Sequence, residues 1–296
     1  MNTRWSSRSL GSRAQHAVFY ALISAAGTTG AYALLFFVVT WYTLRPSVRR
    51  RSRAYLERRF PGAGRAAAWM HAWKLQWSFG QCLVDRAAAG LRGGFTFEEI
   101  RGEDLRLLSA EGKGVILLSA HTGCWQAAPH VLAEISGLPV TVLLHSEPGD
   151  VDRQIHDHAG QSPPYRILRV GGGPETVLAL LRHLRQGELL CLMGDRVEGS
   201  AEQAVSVSFF GAPARMPCLA YRLASASGAP VLCVFALRTG PLRGRLYCAE
   251  RIRPPAGLGR RAHEYRAYAQ CFASALERFV LDNPYQFFNF YDLWES

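Results

Sequence analysis

Lysine is nearly absent from this chain of 296 residues, where only Lys74 and Lys113 occur among 34 basic residues. The formal net charge of +11 at pH 7 is therefore almost entirely due to arginine. No motif of nucleic-acid recognition accompanies these arginines, and their densest cluster directly follows an apolar stretch. We therefore expect a membrane surface, and no nucleic acid, to be the partner of this basic charge.

Paired cysteines are missing as well. The seven cysteines are scattered, and none forms a C-x-x-C pair or a Cys/His cluster at metal-ligand spacing. This pattern predicts reduced core thiols in place of a disulfide framework. The glycine run at residues 171–173 lacks the Lys-Ser/Thr pair of a phosphate loop and predicts a flexible turn. The polar, proline-containing stretch 145–164 predicts a mobile loop or short helix over the site, and metal binding by its residues His145, His156 and His158 is the minor alternative. The sequence thus predicts no metal site and no cofactor.

Charged side chains are absent from residues 17–44, which end in the apolar run AYALLFFVVTWYTL. The stretch exceeds the roughly 20 residues that span a bilayer, so we predict a transmembrane helix here. The glycines and threonines of residues 27–30 keep a kinked or interfacial helix open as the alternative. The length of the run and the lack of a cleavage signature argue against a signal peptide.

Basic residues flank this helix on both sides. Residues 1–16 form a basic arm, and eight arginines follow the helix: Arg45, Arg49, Arg50, Arg51, Arg53, Arg58, Arg59 and Arg65. The positive-inside tendency places the following domain, residues 45–296, in the cytoplasm, and such arginines bind anionic headgroups. A solvated basic helix face is the alternative role of these arginines.

The remaining chain alternates between strand-like and helical patterns. Helical spacing covers about residues 66–91, 104–112, 174–186, 218–226 and 262–282. Strand patterns cover residues 95–100, 115–118, 139–144, 165–170, 189–193, 205–210, 231–237 and 245–252. Strands that alternate with helices predict an α/β sheet flanked by helices.

Residues 115–129, VILLSAHTGCWQAAP, carry the clearest functional signal. The aliphatic run predicts a strand buried on both faces, and His121 lies where this strand ends. Helical spacing over residues 125–137 predicts a helix directly afterwards. Free backbone N–H groups at its start would stabilise a developing oxyanion.

Three blocks of the sequence together resemble one family. The first is HTGCWQ (121–126), the second is the strand-end pair Asp195 and Arg196 with the later FFGAP (209–213), and the third is the aromatic ending QFFNFYDLW (286–294). They resemble the H-x-x-x-x-D/E block, the second motif and the C-terminal ending of the bacterial lipid A late acyltransferases. This branch belongs to the lysophospholipid acyltransferase superfamily, and the resemblance extends over nearly the whole chain.

The resemblance implies an acyltransferase (EC 2.3.1.-) with a glycerol-phosphate-acyltransferase-like sheet and an N-terminal membrane-anchoring helix. It implies transfer of a fatty acyl group from acyl carrier protein or acyl-CoA to a lipid or glycolipid acceptor. The bacterial inner membrane, with the domain on its cytoplasmic side, is the implied location. His121 is the implied general base, and Gly123 and Trp125 match motif positions that we expect near the substrate.

Gln126 departs from the family pattern, because the motif has a carboxylate at this position. Its amide oxygen could hold the ring of His121, but an amide cannot neutralise an imidazolium. Asp195 is the best candidate to supply the missing charge. The third possibility is a catalytically silent lipid-binding protein, and an acyltransferase of a secondary metabolite is a further alternative.

Two groups of side chains near the second block are candidates for substrate contacts. Arg196 and Arg215 could hold a phosphate or carboxylate, with structural ion pairing as the alternative. Phe209, Phe210 and Gly211 are expected to shape a turn and one wall for the acyl chain.

Overall fold

The computed structural model describes residues 13–100, 102–144, 164–169, 174–197 and 203–294. Three sequence-based expectations lie outside these residues: most of the basic arm (1–12), nearly all of the histidine-containing stretch (145–163) and the glycine run (171–173). Within the described residues, a layer of N-terminal helices precedes one α/β unit.

The N-terminal layer consists of α1 (Arg13–Leu44), α2 (Pro46–Arg59) and α3 (Arg65–Arg92). α1 is kinked at Gly27, whose φ is 67°, within the glycine-threonine stretch that predicted a kink. α1 packs lengthwise on α3, and a Cβ added at Gly80 of α3 would lie 2.7 Å from Leu35 Cδ1. One face of α1 is therefore buried against α3, and the helix does not stand alone.

Nine strands follow among the residues that the structure describes. They are β1 (Thr96–Ile100), β2 (Val115–Ser119), β3 (Val140–Leu144), β4 (Arg166–Arg169), β5 (Leu189–Met193), β6 (Ala204–Phe209), β7 (Ala212–Pro217), β8 (Val231–Gly240) and β9 (Arg243–Ile252). Seven form the central sheet in the order β1-β9-β8-β2-β5-β3-β4, and all neighbours are parallel except β8 and β9. The predicted α/β sheet is confirmed.

Helices cover both faces of this sheet. α4 (Gly102–Ser109) and α5 (Ala128–Ser136) lie on one face, and α6 (Pro174–Arg185), α7 (Leu219–Ser227) and α8 (Arg266–Asp282) lie on the other. In β2, the side chains of Val115 and Leu117 belong to the core on the face covered by α4 and α5, whereas those of Ile116 and Leu118 belong to the core on the opposite face. Burial on both faces explains why β2 is an uninterrupted aliphatic run.

The predicted start of the helix after His121 is wrong. The helical pattern begins at residue 125, but α5 begins only at Ala128, with Pro129 in its first turn. Between His121 and α5 the chain forms consecutive turns, in which Trp125 N–H donates to Thr122 O at 3.1 Å and Ala127 N–H donates to Cys124 O at 2.9 Å. These turns displace the start of the helix from the end of the strand.

β6 and β7 form a separate antiparallel hairpin. Phe210 and Gly211 connect the strands, and their φ values of 51° and 71° are both positive, as a two-residue hairpin turn of type I′ requires. The strand predicted at residues 205–210 is thus present. β7 was not predicted as a strand, because Pro213 and Arg215 interrupt its apolar alternation.

Candidate active site

His121 and Asp195 meet just beyond the carboxyl ends of the neighbouring strands β2 and β5. β2 and β5 are parallel neighbours, with Ser119 paired to Met193, so the residues just beyond the two strands lie side by side. His121 Nδ1 lies 2.9 Å from Asp195 Oδ1 and 3.0 Å from Oδ2, and the backbone N–H of His121 donates to Oδ2 at 3.3 Å. The carboxylate therefore fixes both the ring and the main chain of His121.

Asp195 is fully buried, whereas the side chain of His121 is 14% exposed. Burial by itself would raise the pKa of the Asp195 carboxyl. The charge of His121, the hydrogen bonds from His121 and the charge of Arg196 outweigh burial and hold this pKa below its ordinary value of 3.8. The site thus holds an ionised carboxylate behind a histidine that reaches the protein surface.

Gln126 lies in the turns between β2 and α5 and is partly buried. Both carboxylate oxygens of Asp195 lie within 3.0 Å of His121 Nδ1. A carboxylate in contact with this nitrogen can orient the imidazole ring. The sequence-based hypothesis that Asp195 supplies the charge that Gln126 lacks is therefore the one that this geometry favours.

Trp125 is the aromatic neighbour of the histidine. Its ring centroid lies 5.3 Å from that of His121 and 5.7 Å from that of Phe288, and it stacks on Phe79 at 6.3 Å. Phe79 belongs to α3, so the N-terminal layer also borders the site. Trp125 therefore lies directly beside the imidazole, and its contact with substrate stays a prediction.

Gly123 holds the His121 turn against strand β8. Its φ is 45°, and an added Cβ would lie 2.4 Å from Ala236 O and 2.8 Å from Arg238 N. Its N–H donates to Gln286 O at 2.9 Å. These contacts give Gly123 a structural role, and direct contact with substrate stays a prediction.

A C-terminal segment, residues 284–294, completes the site. Phe288 N–H donates to His121 O at 2.8 Å, and Tyr291 Oη donates to Asp195 O at 2.7 Å. Phe288 O in turn accepts a bond from Arg196 Nη2 at 3.0 Å. The sequence marked this segment as a family block but assigned no contact to it, because hydrogen bonds through main-chain atoms leave no residue-type signal.

The two candidate arginines lie in different surroundings. Arg196 is 8% exposed, and its Nε lies 3.9 Å from Asp195 Oδ2. This buried position agrees with the structural alternative, because Arg196 contacts Asp195 and donates a hydrogen bond to Phe288. Arg215 is partly buried on β7, where its N–H donates to Leu293 O at 3.4 Å, and its contact with a substrate anion stays a prediction.

Phe209, Phe210 and Gly211 lie at the end of β6 and in the turn that connects it to β7. Phe209 is fully buried and stacks on Trp294 at a centroid distance of 5.8 Å, while its carbonyl accepts a bond from Trp294 Nε1 at 2.9 Å. Phe210 and Gly211 form the turn that was predicted. Their proposed role as an acyl-chain wall stays a prediction.

The predicted oxyanion site at the start of the helix needs correction. α5 begins several residues beyond His121, and the intervening N–H groups of Gly123, Trp125 and Ala127 already donate to main-chain carbonyls. These three groups are therefore committed to the turns.

Among the described residues, no group of three or more His, Cys, Asp or Glu side chains could hold a metal ion.

Comparison with known proteins supports the resemblance. The phosphatidylinositol mannoside acyltransferase of Mycobacterium tuberculosis is 32% identical over 124 residues, in strain CDC 1551 / Oshkosh as in ATCC 25618 / H37Rv, covering 42% of this chain and 38% of the relative. The enzyme of the same name from Mycolicibacterium smegmatis is 32% identical over 130 residues, covering 42% of this chain and 41% of that protein. These alignments thus span about two fifths of the relatives' length.

A family-level match covers a longer part of the chain. The sequence model of the bacterial lipid A biosynthesis acyltransferases matches residues 95–296, which include all three sequence blocks and both His121 and Asp195. From this match, and from the α/β fold that agrees with it, we conclude that the chain belongs to the bacterial lipid A biosynthesis acyltransferase family.

Proposed function

We propose that the protein transfers a fatty acyl group from a thioester donor to a hydroxyl or amine of a membrane lipid, with His121 as the general base. The contact of His121 Nδ1 with the buried carboxylate of Asp195, at 2.9 Å, carries this proposal. Family membership and the acyltransferase relatives support the reaction class.

The proposed chemistry follows from the two nitrogens of the ring. Nδ1 donates to Asp195, so Nε2 on the opposite side of the ring removes the proton of the acceptor group. The acceptor oxygen or nitrogen attacks the thioester carbonyl and forms a tetrahedral intermediate. As this intermediate collapses, the C–S bond breaks and the imidazolium of His121 returns the proton to the departing sulfur, which releases the thiol of acyl carrier protein or coenzyme A. Asp195 stabilises the imidazolium that forms, and it needs no proton because its pKa is low.

A glycolipid acceptor is the class that the relatives favour. The mycobacterial relatives are named for a phosphatidylinositol mannoside, and the family is named for lipid A, so both names point to lipids that carry sugars. We propose that the acceptor here is also a hydroxyl-bearing glycolipid. The donor is either acyl carrier protein or acyl-CoA.

We further propose that α1 lies in the membrane interface of the cytoplasmic leaflet and does not cross the bilayer. Residues His16–Leu44 are long and apolar enough to cross a membrane. However, Ile23, Ala31, Leu35 and Val39 are buried in a cluster with residues of α3. α3 carries Lys74 and Asp85, which a hydrocarbon core would not accept without cost.

The other face of α1 suits the interface. Phe37 and Trp41 are 69% and 60% exposed, and Leu44 is 57% exposed at the end of the helix. The arginine-rich helix α2 follows directly. An apolar face beside arginines is the pattern of a helix that inserts to the headgroup level and attracts anionic lipids.

Lipid mass spectrometry tests the transfer. Cells that express wild type, His121→Ala, Asp195→Asn or Gln126→Glu are compared, and isolated membranes are supplied with labelled acyl carrier protein or acyl-CoA. We expect a new acylated glycolipid in wild type that is lost in His121→Ala and strongly reduced in Asp195→Asn.

Equal lipid profiles in wild type and His121→Ala, with all proteins folded, would favour the silent lipid-binding protein. Acylation of a soluble product would favour the secondary-metabolite alternative.

Protease protection tests the orientation of α1. An epitope tag at the N-terminus and one at the C-terminus are digested in right-side-out and inverted inner-membrane vesicles. An interfacial helix leaves both tags on the same side, so inverted vesicles lose both together. Digestion of the two tags in opposite vesicle preparations would show that α1 spans the bilayer.

A further inference from the structure

Three elements meet at a buried charge that the proposed reaction does not use. Asp85 of α3 is fully buried, and its Oδ2 accepts a bond from Arg238 Nε of β8 at 2.6 Å. Its Oδ1 accepts a bond from the hydroxyl of Tyr32 of α1, and Arg238 Nη2 donates to the same hydroxyl at 2.9 Å. The ion pair thus joins α3 to the sheet, and the hydroxyl of Tyr32 connects α1 to both of its members.

The main chain of Arg238 is held by a second residue. Arg238 N–H donates to Gln286 Oε1 at 2.7 Å, and Gln286 Nε2 donates to Arg238 O at 2.9 Å. Gln286 O accepts the N–H of Gly123 at 2.9 Å, two residues from His121. We call Tyr32, Asp85, Arg238 and Gln286 the docking network, because its bonds run without a gap from α1 to the His121 turn.

The packing around Gly123 makes this connection stiff. A Cβ at Gly123 would lie 2.8 Å from Arg238 N and 2.8 Å from Gln286 Oε1, so the turn rests directly on both members of the network. Displacement of β8 or of Gln286 therefore moves the turn that begins at His121. Phe288, two residues beyond Gln286, also bonds the carbonyl of His121.

We expect a buried ion pair in this position to fix the relative placement of α3 and β8 more than to increase the free energy of unfolding. Burial alone would lower the pKa of Arg238, but the charge of Asp85 raises it above its ordinary value, so Arg238 keeps its charge in this buried position. Buried ion pairs gain little over well-packed apolar side chains, and their attested use is to fix one arrangement of elements.

We propose that the docking network positions His121 relative to α1, so that the helix which seats the protein on the membrane also sets the catalytic geometry. Arg238 and Gln286 are positioning residues in this assignment and touch no substrate. The inference rests on the proposed function of His121 and extends it. Its consequence is that membrane attachment and catalytic rate share one structural element.

Two mild substitutions in the full-length protein test this proposal. Tyr32→Phe removes one hydroxyl from the network and keeps the ring, and Gln286→Met removes the bonds to Arg238 and keeps the side-chain volume. Since misplacement by about 1 Å costs on the order of 100-fold in rate, we expect each variant to lower kcat by roughly tenfold while KM changes less than twofold. Because both act through one network, the double variant should lose about as much as either single variant.

Tyr265→Phe is the matched control. Tyr265 is 2% exposed, and its hydroxyl donates to Gly259 O at 2.8 Å, so this variant loses a buried tyrosine hydrogen bond in another part of the fold. We expect its kcat to equal that of wild type. The proposal is overturned if Tyr265→Phe loses as much activity as Tyr32→Phe, or if the losses of Tyr32→Phe and Gln286→Met multiply.

Nuclear magnetic resonance of histidine-labelled protein in anionic lipid nanodiscs gives a readout besides turnover. The titration of the His121 ring should shift in Tyr32→Phe and in Gln286→Met and should stay unchanged in Tyr265→Phe. If wild type and His121→Ala show equal transfer, the proposed function fails, and the titration still decides whether the network positions the ring. If transfer needs His121 but neither the rate nor the titration responds to the network variants, only the present inference fails.

Discussion

His121 and Asp195 are 74 residues apart in the chain, yet their side chains share two contacts of about 3 Å at the end of parallel strands. The pair combines a partly exposed imidazole with a fully buried carboxylate. In the proposed mechanism this carboxylate, which follows the strand next to the one that ends before His121, supplies the negative charge that the family motif has at the position of Gln126.

Asp195→Asn should therefore reduce activity far more than any change at Gln126. The amide keeps the shape of the side chain but cannot stabilise the imidazolium, and in a comparable triad this exchange costs about 10⁴-fold in rate. We expect Asp195→Asn to lower kcat by about 10² to 10⁴, and Gln126→Ala to lower it less than tenfold. Steady-state transfer assays in membranes measure both variants. A larger loss in Gln126→Ala than in Asp195→Asn would contradict this division of roles.

The low pKa of Asp195 predicts how acid affects stability. A carboxyl whose folded-state pKa lies below its unfolded value stabilises the fold above the unfolded pKa, and this contribution is lost as the pH falls through the folded pKa. The free energy of unfolding of wild type minus that of Asp195→Asn should be constant well above pH 3.8 and should shrink at lower pH. Denaturant titrations from pH 7 to pH 3 measure the difference. A difference that grows on acidification would show that the carboxyl has a raised pKa.

Gly123→Ala tests the close approach of the His121 turn to β8. The variant places a methyl group 2.4 Å from Ala236 O in a backbone conformation with φ of 45°. We expect a loss of about 3 kcal/mol or more in the free energy of unfolding. Gly211→Ala is the matched control, because its φ is also positive but its Cβ would meet no atom within 4 Å. That variant should lose only about 1 kcal/mol, and equal losses would show that backbone strain alone matters.

Membrane binding should depend on the exposed face of α1. Phe37→Ser and Trp41→Ser each remove a large apolar side chain from that face and should lower partitioning into anionic vesicles by roughly tenfold or more. Vesicle sedimentation measures the partition coefficient. Leu107→Ser on α4 is the control, since Leu107 is also 60% exposed but lies on a helix of the α/β unit. Similar losses in all three variants would place the membrane contact elsewhere.

The amino-terminal end of β5, opposite the end that leads to Asp195, should matter for stability and not for catalysis. Glu188 is 5% exposed and accepts bonds from Arg166 Nη1 at 2.9 Å, His183 Nδ1 at 2.9 Å and Thr141 Oγ1 at 3.2 Å. Glu188→Ala leaves these partners without their acceptor and should lower the free energy of unfolding by about 3 kcal/mol. The kcat of the folded fraction should remain that of wild type. A fall in kcat without a fall in stability would refute this separation.

The sequence predicted those features that leave a pattern of residue types. β2 is apolar on both faces because it is covered on both faces, and its burial could be inferred from four aliphatic residues. Asp195 could be named as a strand-end carboxylate. The start of α5 could not, since apolar spacing continues through the turns in which Trp125 and Ala127 bond to main-chain oxygens.

Other parts of the site depend on contacts that composition cannot encode. Gln286 was only one letter of an aromatic ending, and its role arises because two of its atoms meet the main chain of Arg238. Packing of α1 on α3 was likewise hidden, because an apolar helix has the same composition whether its neighbours are lipids or Trp77, Val84 and Ala88 of another helix.

The contacts of the C-terminal segment also impose an order in time. Residues 284–294 are synthesised after every strand and helix of the described fold, yet they bond His121, Asp195 and Arg238. A nascent chain that ends before Pro284 already contains His121 and Asp195 but none of these hydrogen bonds. The restraints on the His121 turn are therefore added to the described fold only after its strands and helices have been synthesised.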